Sequence, residues 1–298
     1  MVAIGNFDGV HRGHAAVIKR AEVLAKKLGK PAAVLTFEPH PADFFAKKSV
    51  VFRLTPAEQK AQALDDLGLD GAIVMSFNAD LASLTAEDFV ADILVRRLGV
   101  SGVVAGYDFH FGKARSGTPA FLKDAGPRYG FQVEIVDRIA EDANGSLEAV
   151  SSTSIRNALA QGDMAKVTAY LGRDYTVTGI VSHGKKLGRT LGFPTANLEL
   201  TVGDHVRQGI YAVRAKFDGQ WHDGVASYGR RPTFDNGPAL LEVFVFDFSG
   251  DLYGKTMQVA LVEWLRGEEK FDSVEALITQ MNADSAKAKL VLAARTPA

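Results

Sequence analysis

The sequence contains no cysteine, almost no net charge and no long apolar run. Without cysteine the chain cannot form disulfides, thiolate metal sites or a cysteine nucleophile. The 34 basic and 35 acidic side chains give a net charge of −1, which disfavours nucleic-acid binding through bulk electrostatics. No stretch of about 18 apolar residues occurs, and the polar Asn6 and Asp8 leave no room for the apolar core of a signal peptide. We therefore expect a cytoplasmic protein that neither spans a membrane nor binds nucleic acid.

The first part of the chain, 1–172, has the pattern of an α/β domain. A length of 298 residues with 47% hydrophobic and 23% charged residues fits about two folded domains. Short apolar segments alternate with amphipathic ones, which predicts a parallel sheet covered by helices on both faces. The predicted strands are 2–4, 32–37, 72–77, 103–104 and 133–136, and the predicted helices include 57–67 and 86–98. Ligands of such sheets bind beyond the carboxyl ends of the strands.

The pattern changes near Gly172, and from Tyr175 onward turn residues rather than helices separate the strands. Asp218-Gly219 is a typical hairpin turn, and 240–248 and 257–264 are further long strand candidates. A helical pattern from Val274 to about 292 ends the chain. The second domain, 173–298, is therefore predicted to be a small antiparallel β-barrel with a C-terminal helix.

The segment from Gly5 to His14 joins the first predicted strand to the first helix. A helix N-terminus presents unpaired N–H groups, and glycines let a ligand approach the backbone, so this loop suits a phosphate group. His11 and His14 stand three residues apart and can point the same way on the first helical turn. Two such donors suit the charge that develops on a phosphoryl group when pyrophosphate leaves. The alternative is one histidine that caps the helix and one on the surface.

Gly5-Asn6-Phe7-Asp8 followed by His11-Arg12-Gly13-His14 resembles the signature of the HxGH nucleotidyltransferase superfamily. Val150-Ser151-Ser152-Thr153-Ser154-Ile155-Arg156 resembles its second motif, in which hydroxyl residues cap a helix and an arginine clamps the triphosphate. The resemblance implies a Rossmann-like domain that transfers a nucleotidyl group without a covalent intermediate, with His11 and His14 catalytic. The ATP and phosphate contacts that it implies are Gly5, Asn6, Phe7, Asp8, Gly13, Ser151, Ser152, Thr153 and Arg156.

Two further loops, 38–41 and 106–112, follow predicted strands at the same edge of the sheet. Both resemble the loops on the flavin mononucleotide (FMN) side of the bacterial FAD synthetases. The FMN-side residues that this implies are Pro39, His40, Asp108, Phe109 and Phe111. Phe109 and Phe111 are expected to offer ring faces to the flavin. An ordinary packed lid is the alternative.

In the second domain, a glycine-spaced basic segment precedes Pro194-Thr195-Ala196-Asn197. The basic segment suits a phosphate flap with the residues Gly184, Lys185, Lys186, Gly188 and Arg189. Thr195 and Asn197 carry neutral oxygens that can bind Mg²⁺ while substrate phosphates supply other ligands. The tetrapeptide could alternatively be an ordinary turn.

These segments, with 209–213, 229–234, Glu242 and 251–255, occur in the order found in riboflavin kinases. The resemblance makes Glu242 the general base on the terminal hydroxyl of the ribityl chain. Strand alternation places Glu242 on one side with Phe244 and Phe246, and a carboxylate with this role is expected to face inward. A glutamate at the rim of an edge strand is the alternative. Phe244 and Ser227 stand where family members often carry histidine and asparagine.

Taken together, the two halves resemble the bifunctional bacterial riboflavin kinase/FMN adenylyltransferases over nearly the whole chain. That resemblance implies ATP as co-substrate, Mg²⁺ as cofactor, and riboflavin, FMN and FAD as substrates or products. Two alternatives remain at this point. One is another adenylyl- or cytidylyltransferase with a non-catalytic β domain, and the other is a non-enzymatic flavin-binding regulator.

Overall fold

The computed structural model describes residues 1–138, 150–183, 188, 191–199, 205–229 and 239–295. These residues belong to two compact units, Met1–Ser154 and Ile155–Ala298. The first is an α/β unit and the second is a β-barrel with helices, so the predicted fold class is confirmed.

The first unit is built on a five-stranded parallel sheet with the strand order β3-β2-β1-β4-β5. Its strands are β1 Val2–Ile4, β2 Ala33–Glu38, β3 Gly71–Ser76, β4 Gly102–Gly106 and β5 Gln132–Val136. Its helices are α1 Arg12–Leu28, α2 Pro41–Ala46, α3 Ala57–Asp65, α4 Ala79–Ser83, α5 Ala86–Asp88 and α6 Pro119–Tyr129. All five predicted strands are present, each within a few residues of its expected bounds.

Local sequence signals set several of these helix ends. Thr85 and Asp88 form a reciprocal capping box at the start of α5, as their spacing predicts. The helix then continues as a π-helical stretch, Phe89–Arg97, so the predicted helix 86–98 is confirmed with an altered hydrogen-bond pattern. Gly29 ends α1 in the left-handed conformation, which glycine adopts without steric cost.

Apolar residues cover both faces of the sheet. On one face, Val90, Leu94 and Leu122 join a core with residues of β1, β2 and β4. On the other face, Ile18 of α1 and Leu64 of α3 pack against alternate residues of the same strands. Because both faces are covered, polar loops at the carboxyl edge are the natural place for ligands.

The second unit contains a closed barrel with the strand order β10-β7-β6-β11-β8-β9, in which the pairs are antiparallel. Its strands are β6 Tyr175–Ser182, β7 Thr195–Glu199, β8 Gly209–Phe217, β9 Gln220–Gly229, β10 Leu240–Val245 and β11 Thr256–Arg266. Asp218 and Gly219 form the predicted hairpin turn, both with positive φ. The strand expected at 240–248 ends earlier, at Val245, because Asp247 turns the chain with φ of 52°.

The helices described for the second unit, wholly or in most of their length, are α7 Ser152–Gln161, α8 Met164–Leu171 and the C-terminal α9 Val274–Ala293. The last confirms the predicted C-terminal helix, and its Ala288 and Leu292 pack on the barrel. The α7–α8 segment also packs on the barrel, since the backbone N–H of Arg207 donates to the carbonyl of Leu159 at 3.0 Å. The compact unit therefore begins inside α7, at Ile155. The domain boundary at 172/173 stays a prediction.

Candidate active sites

The loop between β1 and α1 is anchored by the buried carboxylate of Asp8. Its two oxygens accept hydrogen bonds from the backbone N–H groups of Leu54 and Thr55, each at 3.2 Å. In return, Gly9 donates its backbone N–H to the Thr55 hydroxyl at 2.9 Å. Phe7 is buried in the same core cluster as Val17 and Ile18 of α1, so its side chain anchors the loop to the core. Asp8 and Phe7 thus fix the shape of the loop.

His11 and His14 lie together at the start of α1, as the spacing predicts. Their rings stack with centroids 3.6 Å apart and planes 16° from parallel. His11 caps the helix, because its Nδ1 accepts the backbone N–H of His14 at 3.2 Å. In its neutral form, His11 then carries its proton on Nε2. A cap and a catalytic donor are therefore compatible roles for this histidine, with one ring nitrogen serving each.

The environment of His14 keeps its ring neutral. Burial, the neighbouring His11 and the nearby Lys60 all lower the pKa of His14 well below its ordinary value. Its Nδ1 is buried and has no hydrogen-bond partner within the part of the chain that the structure describes. The edge of the Phe7 ring packs against it, with centroids 5.2 Å apart. A neutral imidazole retains one N–H donor.

The second predicted motif lies at the start of α7. Ser151 caps this helix through a hydrogen bond from the Ser154 backbone N–H at 3.1 Å. Ser152 donates its hydroxyl to the carbonyl of Asp8 at 2.9 Å, which ties the helix to the first loop. Thr153 is exposed, and Arg156 lies one turn along the same helix, half-buried. The serines therefore have structural partners of their own, while Thr153 has an exposed side chain.

Gly13 is required by close packing. A Cβ atom at this position would lie 3.0 Å from Cε1 of His11 and 3.6 Å from the carbonyl oxygen of Val150. Any larger residue would therefore displace His11. Gly5 is half-buried at the end of β1, and Asn6 beside it is exposed. The small residue of the His-x-Gly-His motif thus keeps the paired histidines in place.

The two flavin-side loops lie at the same edge of the sheet as the first loop. His40 begins α2 by accepting the Ala42 backbone N–H, and its Nε2 lies 3.5 Å from Nδ2 of Asn6. Pro39 and Asp108 are exposed and Phe109 is half-buried.

Phe111 differs from expectation. It is buried among Phe89, Phe109 and Phe121, because its backbone pairs with Gly117 and turns the ring toward the core. Phe109 alone of the two predicted rings retains exposed surface.

Sequence reasoning missed a charged cluster behind these loops. Glu38, at the end of β2, pairs with both Arg53 and Lys60. Lys60 is 3% exposed. A signal was present in the sequence: Lys60 precedes Leu64 by four residues and Leu67 by seven, which places it on the apolar face of α3.

In the barrel, two of the predicted kinase residues, Asn197 and Glu242, lie in one row across neighbouring strands. Ser182 of β6 pairs with Asn197 of β7, which pairs with Glu242 of β10, which pairs in turn with Ser227 of β9. Directly opposed residues on antiparallel strands project to the same face. The register therefore brings Glu242 and Asn197 together although 45 positions separate them in the sequence.

This row lies on the outer face of the barrel. The alternate residues Leu241 and Val243 are fully buried inside it, whereas Glu242 is half-buried and shares its face with Phe244. The expectation that Glu242 faces inward is therefore wrong, because the narrow interior is filled by apolar side chains. Phe244 and Phe246 lie in one cluster beneath α9, so the expected grouping of these aromatic residues is confirmed.

A second carboxylate lies near Glu242. The pKa of Glu268 is raised by its partial burial and by the charge of Glu242. A Cβ on Gly229, the last residue of β9, would strike the Glu268 carboxylate, so Glu268 lies against the end of β9. Sequence reasoning missed Glu268, and the segment 267–270 carries no periodic pattern that could have indicated it.

Thr195 and Gly188 lie close together at the start of β7. A Cβ on Gly188 would be 3.5 Å from the Thr195 hydroxyl, and the Gly188 carbonyl accepts the Phe193 backbone N–H at 2.8 Å. Asn197 is buried and donates through Nδ2 to the carbonyl of Thr195 at 3.4 Å. The other predicted flap residues lie outside the described residues: Gly184, Lys185, Lys186 and Arg189.

The first unit has the architecture of a nucleotidyltransferase, and the barrel has that of a small-molecule kinase. A family model described as FAD synthetase matches residues 1–154, and one described as riboflavin kinase matches residues 171–292. The chain belongs to the family of bifunctional riboflavin kinase/FMN adenylyltransferases.

Named relatives cover both halves of the chain. The bifunctional riboflavin kinase/FMN adenylyltransferase of Pseudomonas fluorescens is 44% identical over 98% of this chain and 93% of its own length. The corresponding Escherichia coli K12 protein is 38% identical over 100% of this chain and 94% of its own. A crystal structure described as a macrolide-efflux protein from Streptococcus pneumoniae is 33% identical, with a TM-score of 0.84 over 95% of this chain and 91% of that one. Within the described residues, no helix is both long and apolar enough to cross a membrane.

Proposed function

We propose that this chain makes FAD from riboflavin in two steps, with one site in each unit. The barrel phosphorylates riboflavin with ATP to give FMN, and the α/β unit transfers AMP from a second ATP to FMN. One observation carries the proposal: each matched half assembles its own reactive groups, the stacked His11 and His14 in one and the paired Glu242 and Asn197 in the other. Substrates for both steps are small flavins and ATP.

In the adenylyl transfer, a phosphate oxygen of FMN attacks the α-phosphorus of ATP and pyrophosphate leaves. His11, through Nε2, and His14 donate hydrogen bonds to the charge that develops on the phosphoryl oxygens. Arg156, two residues past the end of the first compact unit, binds the phosphates of ATP, and the loop from Gly5 to Gly13 supplies backbone N–H groups. The loop is held rigid by Asp8, so these donors are positioned before the substrate arrives.

Two loops at one sheet edge, 38–41 and 106–112, form the FMN side of this site. Pro39, His40 and Asp108 are exposed or half-buried there, and Phe109 offers a ring surface to the flavin. Phe111 acts from behind by packing against Phe109, with ring centroids 5.6 Å apart.

In the kinase step, Glu242 accepts the proton of the terminal ribityl hydroxyl, whose oxygen attacks the γ-phosphorus of ATP while ADP leaves. The donor set of Thr195 and Asn197 fits Mg²⁺, since a hydroxyl and an amide oxygen are hard neutral ligands. The amide nitrogen of Asn197 is directed to the Thr195 carbonyl, which leaves its amide oxygen for a cation. Bound there, Mg²⁺ would neutralise phosphate charge. The flap from Gly184 to Arg189 supplies further positive charge.

Both steps consume ATP, which supports the cytoplasm as the site of the reactions. The direct test is to incubate the purified protein with riboflavin, ATP and Mg²⁺ and to separate the flavins by chromatography. We expect FMN to appear first and FAD to follow. A protein that converts FMN to FAD but leaves riboflavin unchanged would be a nucleotidyltransferase with a non-catalytic barrel, and one that changes neither flavin would be a binding protein.

A further inference from the structure

Lys60 is a buried cation directly behind the adenylyltransferase loop. Its Nζ lies 2.5 Å from Oε1 of Glu38 and 3.5 Å from the hydroxyl of Thr36. Only 3% of Lys60 is exposed. Burial of a lysine costs free energy unless the charge is compensated, and an apolar residue would fill this position on α3 at lower cost. The charge therefore calls for an explanation beyond packing.

The hydrogen bonds around Lys60 lead directly to the loop. The Thr36 hydroxyl, which Lys60 approaches, donates to the backbone carbonyl of Asn6 at 3.1 Å. From the segment just before α3, Leu54 and Thr55 hold the Asp8 carboxylate. Leu54 and Thr55 thus hold the loop at Asp8, and Lys60 contacts Thr36, which holds the loop at Asn6.

The charge of Lys60 also acts on His14. Burial, then His11, then Lys60 lower the pKa of His14. Lys60 faces Glu38, which also pairs with Arg53, and the charge of Arg53 acts in turn on Asp43. Burial alone would raise the pKa of Glu38, but the hydrogen bond and charge of Lys60, with those of Arg53, lower it overall. Lys60 and Arg53 thus share the Glu38 carboxylate, and the charge of Lys60 reaches His14.

We propose that Lys60 is a positioning residue for adenylyl transfer, which holds the loop through Thr36 and maintains a positive charge behind His14. The inference rests on the proposed function of this site. The positive charge attracts the anionic nucleotide, and it keeps the His14 ring neutral until phosphate arrives. Glu38 tunes this charge, since its loss would remove the carboxylate that pairs with Lys60.

The test compares Lys60→Met, Lys60→Arg and Glu38→Gln, with Lys123→Met as a control that removes an exposed lysine from α6 of the same unit. His14 is titrated by NMR in the ligand-free protein, with its signal assigned from His14→Gln. In Lys60→Met we expect His14 to gain its proton at higher pH than in the wild type. In Glu38→Gln we expect His14 to gain its proton at lower pH than in the wild type. In Lys60→Arg and Lys123→Met we expect His14 to be protonated at nearly the wild-type pH.

Adenylyl transfer is measured on the same preparations. We expect kcat for FAD formation to fall about 10²-fold in Lys60→Met, the size of effect that a misplaced catalytic group produces. Lys60→Arg should retain part of the wild-type kcat for FAD formation. The rate of riboflavin phosphorylation should be unchanged in all variants. A folded Lys60→Met with an unshifted His14 titration and wild-type kcat would overturn the inference. If Lys60→Met does not fold, the Glu38→Gln variant decides. The inference would be overturned if His14 in this variant gained its proton at the same pH as in the wild type or at a higher pH. Wild-type protein without FAD formation would instead overturn the proposed function, because the titration does not depend on activity.

Discussion

At the scale of single residues, the two histidines combine a structural and a chemical role. His11 uses Nδ1 to cap α1, while the surroundings of His14 lower the pKa of its ring. Preorganised donors of this kind cost no reorganisation during the reaction. Burying them lowers stability at acid pH instead, because the unfolded chain binds protons that the folded chain excludes.

This cost gives a prediction about pH. Since the pKa of His14 is lowered in the folded state, the free energy of unfolding should fall as the pH drops below about 6.5, the pKa of an exposed histidine. His14→Gln removes this contribution, so its stability should depend less on pH in that range. Urea unfolding followed by helical circular dichroism at pH 7.5 and 5.5 measures the difference. If the free energy of unfolding fell by the same amount between pH 7.5 and 5.5 in wild type and variant, the result would contradict this role of His14. Glu38, with its lowered pKa, should add a separate loss only at more acid pH.

The sequence alone was enough to single out the candidate site residues that belong to recognisable motifs. His11, His14, Asn197 and Glu242 fall in patterns whose spacing fits the observed helix turn or strand register. Lys60 could not be assigned a role, because a single lysine in a helix is usually solvated and its partner Glu38 lies on another element.

At the scale of secondary-structure elements, strand register positions the kinase residues. The row from Ser182 to Ser227 depends on four strands whose alignment is fixed partly by the hairpin at Asp218-Gly219. Alternation predicted which residues share a face with Glu242 but not which face is outside. That choice depends on barrel closure and on α9, which covers Phe246 on the outer face.

The hairpin turn provides a matched pair of substitutions. Gly219 has φ of 81° with nothing near its Cβ position, and Gly267 has open space without a positive φ. Gly219→Ala should lower the free energy of barrel unfolding by about 1 kcal/mol because alanine is strained in this conformation. Gly267→Ala should change it little. Both tryptophans, Trp221 and Trp264, lie in the barrel, so their fluorescence in urea reports its unfolding. If both substitutions changed the free energy of barrel unfolding equally, the conformation of the turn would be excluded as a source of barrel stability.

At the scale of the whole molecule, the chain is two compact units with separate chemistry. Sequence composition showed where helix-rich patterning gives way to strands, near Tyr175, but not that α8 packs on the barrel. An amphipathic helix has the same pattern whether it covers a sheet or a barrel. Its buried Val167 and Tyr170 belong to the second unit.

Two fragments test the boundary. The fragment 173–298 is predicted to fold and to make FMN from riboflavin, and 155–298 keeps α8 and most of α7 as well. Because 155–298 retains the bond from Arg207 to Leu159 and the buried face of α8, we expect it to unfold at higher urea concentration. A fragment 173–298 that is folded by circular dichroism but inactive with Mg²⁺ would place the functional boundary earlier. Equal stability of the two would show that α8 contributes nothing to the barrel.

The central claim is that each unit carries its own reaction, and a crossed pair of variants tests it most directly. Both half-reactions are measured on the same preparations of wild type, Glu242→Gln and His14→Ala. Glu242→Gln keeps nearly the same size but cannot accept a proton, so FMN formation should fall about 10² to 10⁴-fold with little change in riboflavin affinity. Supplied FMN should still become FAD at the wild-type rate.

His14→Ala should give the opposite result. FAD formation should fall about 10² to 10³-fold, as expected when one transition-state donor is lost, while FMN accumulates at the wild-type rate. Wild-type kinase turnover in Glu242→Gln would assign the base elsewhere, and unchanged FAD output in His14→Ala would remove that histidine from the mechanism. If either variant lost both reactions equally while remaining folded, the claim of two independent sites would be contradicted.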